Sequence, residues 1–293
     1  MKALIIAEHA AAAAELVAGA RTMADEVVAI SFGGAYECGA DKVLNITVPE
    51  SLTVDSAVET VNAAFDAENP EVVLVEACRH MKVIAGSLAF HADTAVITDV
   101  TAFEAEGAKS MYFGGIAERV QKAAGNVAIY TIGAGVFDGA EGANGSVAEQ
   151  EWVAPARPVK VVSSQVIEKS GVNLFKADVV VAAGRGFAEE SQLSMANDLC
   201  DKLGAGLACS RPLTEGVNWL PTERYVGVSG LMLTPKAYIA VGISGQMQHM
   251  VGCNRSGAIF AINKDKNAPI FKQCDFGLVG DIKDVLPAIT AAL

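Results

Sequence analysis

The 293-residue chain has no Cys-x-x-Cys pair among Cys38, Cys78, Cys200, Cys209, Cys253 and Cys274, and no His-x-x-x-His pair among its four histidines. Such spacing fits neither a zinc site nor an iron–sulfur cluster. Most of the thiols are therefore expected to be buried or spectators, and no metal is expected. Long apolar runs are missing too. Val72 to Ala77 and Val179 to Ala183 are strand-sized, far short of the roughly 20 residues that span a bilayer. Basic surface is scarce, and a formal charge of −12 excludes nonspecific nucleic-acid binding and docking on anionic lipid. No basic region, apolar signal core or transit segment precedes the opening KALIIAE, so a cytoplasmic site is expected. Neither a fixed-period repeat nor a low-complexity segment is present.

What the chain does have is 52% hydrophobic residues, 28 glycines and few aromatics, a composition suited to buried parallel strands joined by tight turns. The expected class is α/β with two domains, 1–165 and 166–293, each a mostly parallel sheet flanked by helices. Lys2 to Glu8, Glu26 to Phe32, Lys42 to Thr47 and Glu71 to Ala77 read as strands. Ala10 to Ala24, Val54 to Ala67 (with Thr53 as cap) and Arg79 to His91 read as helices. Thr94 to Phe103, Ser110 to Glu118 and Val127 to Gly133 follow closely, which predicts antiparallel, hairpin-type pairing at a sheet edge. Gly133 to Gly145 reads as turns, since it lacks the Gly-Lys-Ser/Thr ending of a phosphate loop. The second half restarts with strand Asp178 to Ala183, the turn Gly184-Arg185-Gly186 and a helix from Glu189 to Leu203. Glu189 stands where a dinucleotide fingerprint needs its third small residue. Gly206 to Cys209 is a short strand, Ile270 to Cys274 an extended run, and Ile282 to Ala292 a closing helix.

The stretch Tyr238 to Asn263, YIAVGISGQMQHMVGCNRSGAIFAIN, reads as strand, turn, short helix, strand. Gly242, Ser244 and Gly245 fall where backbone N–H groups can face a phosphate, and Gln248 and His249 come just after. Four loops at strand ends are expected to converge on one ligand: Gly184 to Gly186, Ser210 to Arg211, Gly227 to Gly230, and Gly242 to His249. The arginines supply fixed positive charge and His249 a titratable donor. Ser244 lacks the Gly-x-Ser-x-Gly elbow of a hydrolase. These features call for a large phosphate-bearing ligand and do not choose among nucleotides.

Residues 178 to 290 resemble the C-terminal, FAD-binding region of the electron transfer flavoprotein alpha subunit family, through YIAVGISGQMQH, AINKDKNAPIF and CDFGLVGDI in that order. KALIIAE and the general layout of the first half are similar to the family's N-terminal α/β domain. The resemblance implies a Rossmann-like FAD-binding second domain, a first domain resembling nucleotide alpha hydrolases and used in subunit association, and a heterodimer with a beta subunit. Arg185 matches an arginine that contacts FAD. Ser210 and Arg211 match a Ser-Arg pair beside the isoalloxazine, and Ser229 matches a threonine near flavin N5. Ser244 to His249, including Gly245 and Gln248, match the segment that meets the pyrophosphate and the pyrimidine carbonyl. Asn263 and Asp275, with Phe276 next to it, match contacts to the ribityl–adenosine portion. Tyr225-Val226-Gly227-Val228-Ser229-Gly230 departs from the family's usual Gln-Val-Gly-Gln-Thr-Gly, so two amide side chains are absent.

The implied function is electron carriage by FAD between a partner dehydrogenase, with the acyl-CoA type as one candidate, and an acceptor oxidoreductase, with no small-molecule substrate of the chain's own. The alternatives are a subunit of an NADH-dependent electron-bifurcating complex and, in a different class, a non-redox nucleotide-binding regulatory module. An NAD-dependent deacylase on a related fold lacks a catalytic constellation here.

Overall fold

The computed structural model describes residues 1–139, 142–165 and 172–293. Contacts group these into two units, 1–112 with 118–165, and 113–117 with 172–293. Residues 140 and 141 of the expected turn segment, and 166–171 beside the expected domain boundary, lie outside the described residues.

The first unit is built on β1 (Lys2–Ile6), β2 (Glu26–Phe32), β3 (Lys42–Ile46), β4 (Val72–Glu76), β5 (Val96–Glu104), β6 (Gly107–Tyr112), β7 (Ala117–Gln121), β8 (Ala128–Ile132) and β9 (Ser146–Glu149). These form one sheet in the order β7-β6-β5-β8-β4-β1-β2-β3-β9. Its interior is parallel, and β5 pairs antiparallel with β6. Side chains of successive residues on a strand face opposite sides. Ala3, Ile5 and Ala7 accordingly pack with Leu16 and Val17 of α1 (Ala10–Arg21), while Leu4 and Ile6 pack with Val61 of α2 (Val58–Glu68) and Ile84 of α3 (Arg79–His91). Strands covered on both faces read as continuous apolar runs.

The same rule corrects one expectation. Ala128–Ile132 is no edge hairpin; it lies inside the sheet, parallel to both β4 and β5. Only Gly107–Tyr112 pairs antiparallel with β5. Short connections suggested a meander, but burial on both faces decides the position of β8. Thr53 is no side-chain cap either: its hydroxyl donates to the Val159 carbonyl at 3.4 Å.

The second unit is a five-stranded, wholly parallel sheet, β11-β10-β12-β13-β14, made of β10 (Val179–Ala183), β11 (Gly206–Cys209), β12 (Ala237–Val241), β13 (Ala258–Asn263) and β14 (Phe276–Val279). One face is covered by α4 (Leu193–Leu203) and α6 (Ile282–Ala292). The other, carrying Tyr238 and Ala240, is covered by loop residues such as Val226 and Leu233 and by Met250 of α5 (Met247–Met250). The α4 helix starts at Leu193, after a 3-10 turn at Glu190–Gln192, rather than at Glu189. The expected extended run at Ile270 is instead the 3-10 turn Pro269–Lys272, which proline at its first position favours.

Candidate functional site

Loops leaving the carboxyl ends of β10, β11 and β12 meet the Tyr225-to-Ser229 loop around a cleft of about 440 Å³. In an open parallel sheet this is the end at which ligands bind. Close backbone approach sets its floor. A Cβ on Gly184 would stand 2.3 Å from the Gly242 carbonyl oxygen, and one on Gly186 would stand 2.5 Å from Gly242 Cα. Only glycine lets the two loops touch there.

The seat itself is a turn rather than a long helix. Gly242 and Gly245 have φ of +63° and +85°, and α5 is a single turn of four residues. Ile270 N–H donates to the Ser244 carbonyl at 3.0 Å, and Gln273 Nε2 to the Gly245 carbonyl at 2.8 Å, so the turn is tied from below. Among the described residues no carbonyl accepts the amides of Ser244, Gly245 or Gln246. A run of free N–H groups in such a turn is an anion nest. With one helical turn behind it, the macrodipole adds little.

His249 sits at the back of the cleft, 7% exposed. Its Nε2 is 2.9 Å from the hydroxyl of Tyr238, a residue with no exposure at all. Its Nδ1 is buried without a well-formed hydrogen bond. Burial pushes the imidazole pKa down to about 4, against a smaller upward pull from the Val226 backbone. Burial also keeps the Tyr238 phenol well above its ordinary value, so it holds its proton. The ring is therefore neutral at pH 7, and the titratable donor expected from sequence carries no charge.

Fixed charge comes from two arginines on the rim. Arg211 Nε donates to Glu215 Oε2 at 2.6 Å across one π-helical turn, Pro212–Gly216, and the pairing raises the guanidinium pKa further. Arg185 lines the same cleft. Tyr225 Oη donates to Ser229 Oγ at 2.6 Å, and Val228 N–H to the Gln248 carbonyl at 2.8 Å, which fixes the fourth loop. Asn263 Nδ2 donates to the Ile243 carbonyl at 2.9 Å.

Nine expected residues line the cleft: Arg185, Ser210, Arg211, Val228, Ser229, Ser244, Gln248, His249 and Asn263. Gly230 and Gly245 shape it from behind, since a Cβ at either would fall 2.4 Å from Tyr225 or Ile270. Asp275 and Phe276 are not brought there. Asp275 Oδ2 accepts Ile259 N–H at 2.8 Å at the amino end of the β13–β14 pair, and Phe276 stacks on Phe260 along the sheet. One strand length further on, Asp281 stands at the carboxyl end, beside Asn263 and Gly242 in a smaller adjoining pocket. Its position after the apolar run Phe276–Val279 and before α6 was the available signal. Tyr238 was missed because only tertiary structure reveals its partner.

These features define an α/β protein whose second unit presents an anion nest, flanking arginines and one orphaned imidazole nitrogen to a nucleotide-sized ligand. Residues 173–254 match the family described as the electron transfer flavoprotein FAD-binding domain, and residues 3–157 match the electron transfer flavoprotein domain. Protein FixB of Escherichia coli O157:H7 and of Shigella flexneri are each 39% identical over 293 residues, covering 95% of this chain and 94% of theirs. FixB of Escherichia coli O127:H6 is 38% identical over the same span. The chain belongs to the electron transfer flavoprotein alpha subunit family, and its cofactor is FAD. The residues present fit that group: the nest can take a pyrophosphate, and the buried Nδ1 of His249, with no well-formed hydrogen bond, is left for a polar atom of the cofactor. Membership also implies a heterodimer with a beta subunit. Among the described residues no helix is long and apolar enough to cross a membrane.

Proposed function

We propose that this chain holds FAD in the cleft of its second unit and carries electrons between a partner dehydrogenase, of acyl-CoA or related type, and an acceptor oxidoreductase. The observation that carries the reading is the pairing of free amides at Ser244, Gly245 and Gln246 with the unpartnered Nδ1 of His249 in one cleft. FAD, when bound, supplies the electron-transfer chemistry. The chain's residues hold and tune it. Amides 244 to 246 take the pyrophosphate. Asn263 and Asp281 serve the ribityl–adenosine side, with Asp281 in the place the sequence reading gave to Asp275. Arg185 and Arg211 contribute positive charge, which favours electron-rich flavin.

His249 acts as a neutral donor. In the tautomer in which the Tyr238 hydroxyl donates to Nε2, the single ring proton sits on Nδ1 and is available to a flavin carbonyl. A neutral donor in a dry site stabilises developing negative charge without bringing a proton to give away. The first unit would serve subunit association, and free thiols at all six cysteines suit a reducing compartment such as the cytoplasm.

Co-expression with a beta subunit tests this. The purified heterodimer is expected to be yellow, to release FAD on denaturation, and to be bleached by a reduced dehydrogenase. A colourless heterodimer that takes up no FAD would contradict it. Bleaching by NADH alone would instead favour the bifurcating class.

A further inference from the structure

The first unit carries a cluster of side chains that electron carriage in the second does not use. β1 and β4 are parallel neighbours, with Ile6 opposite Val75, so Glu8 and His9 leave the sheet beside Glu76 and Cys78. The sheet order changes direction at this pair, since β2 and β3 lie beyond β1 on one side and β8 beyond β4 on the other. Such a switch point is where open α/β sheets bind ligands.

A ring nitrogen of His9, a carboxylate oxygen of Glu76 and Cys78 Sγ all lie within 4.8 Å of one another. His9 Nδ1 is 2.7 Å from Glu76 Oε1. The other carboxylate oxygen, Oε2, accepts the N–H groups of Glu8 at 2.8 Å and His9 at 3.1 Å. Glu76 is thus oriented by the backbone with Oε1 turned to His9. Around them, Cys78 Sγ donates to Glu8 Oε2 at 3.3 Å, and Glu8 is in turn held by His80 Nδ1 at 2.9 Å. Ligands already fixed by a second layer of hydrogen bonds are characteristic of metal centres.

We propose that His9, Glu76 and Cys78 form a zinc-class divalent metal site, with Nδ1, Oε1 and Sγ as ligands and a fourth position open to water. One imidazole, one carboxylate and one thiolate make a donor set that suits Zn2+ and not Mg2+ or Ca2+. Ligation displaces the thiol proton, which is released to solvent. The spacing rules applied to the sequence missed this because His9 and Cys78 are brought together only by strand pairing.

The test uses the FAD-loaded heterodimer, stripped with chelator and titrated with Zn2+ in a calorimeter. One site of this chain is expected to fill, and Cys78→Ser and His9→Ala are each expected to weaken it at least about tenfold. His91→Ala, which removes an exposed histidine paired with Asp66, should change nothing. Far-UV circular dichroism and the melting temperature report whether each variant is folded. As a second measurement on the unaltered protein, Zn2+ should protect Cys78 from alkylation, mapped by mass spectrometry. Failure of the unaltered protein to bind Zn2+, binding unaffected by both ligand substitutions, or Cys78 alkylated equally with and without Zn2+ would each overturn the proposal and leave a hydrogen-bonded cluster only.

Discussion

At the residue scale, the neutrality of His249 has a measurable cost. Its folded-state pKa is about 4, whereas in the unfolded chain it returns to the ordinary value near 6.5. Between those values the unfolded chain binds a proton that the native chain refuses. Stability from this group is therefore complete above about pH 6.5 and is lost as pH falls toward 4, by an order of about 3 kcal/mol. Denaturant titrations at pH 7 and pH 5 should show the loss, and His249→Gln should shrink it; an identical pH dependence in the variant would refute a buried neutral imidazole. Tyr238→Phe removes the hydroxyl that selects the Nδ1 tautomer, so the flavin potential should fall while FAD content stays high. Arg211→Ala should also lower the potential, through lost positive charge, and a spectroelectrochemical titration that finds it unchanged or raised would count against that role. Arg211 enters the site reading through the family's Ser-Arg pair, since from the residues alone a solvated arginine is the safer reading. The Tyr238–His249 bond was not legible in sequence: eleven residues separate the pair along the chain.

At the scale of elements, apolar runs gave most strands to within a residue or two, because burial on both faces leaves a continuous signature. Arg79–His91, Gly206–Cys209 and Ile282–Ala292 match their expected bounds. Positions within the sheet were less legible. Ala128–Ile132 looks like an edge strand from its short connections, yet pairing with β4 and β5 puts it inside. Asp275 illustrates the same limit, since a four-residue strand separates it from the end of the sheet where the cleft opens. Asp281 caps α6 and, on the proposed reading, also serves FAD. Its Oδ1 accepts Lys283 N–H at 3.0 Å and caps α6, so Asp281→Ala should cost about 1 kcal/mol by thermal or chemical unfolding as well as weaken FAD retention. Gly245→Ala should be harsher: its φ of +85° and an approach of 2.4 Å to the Ile270 backbone leave no room for a methyl group. A Gly245→Ala protein with unaltered melting temperature and full flavin would show that the turn is looser than described.

For the molecule as a whole, the charge of −12 and the scarcity of basic residues, both plain in the sequence, direct the search toward protein partners with basic patches rather than nucleic acid. The family and the cofactor were legible because the strand–turn–strand segment from Tyr238 to Asn263 keeps its residues contiguous. The central claim is that the second unit's cleft holds the flavin by its amide nest. Its most direct test is the FAD content of the purified heterodimer with and without Ser244→Asp, an exposed change that sets a carboxylate against the pyrophosphate seat and spares the core. The expected result is loss of one equivalent of FAD from the variant, with the melting temperature of the flavin-free protein unchanged. Equal FAD content in the two proteins would place the flavin elsewhere and contradict the account.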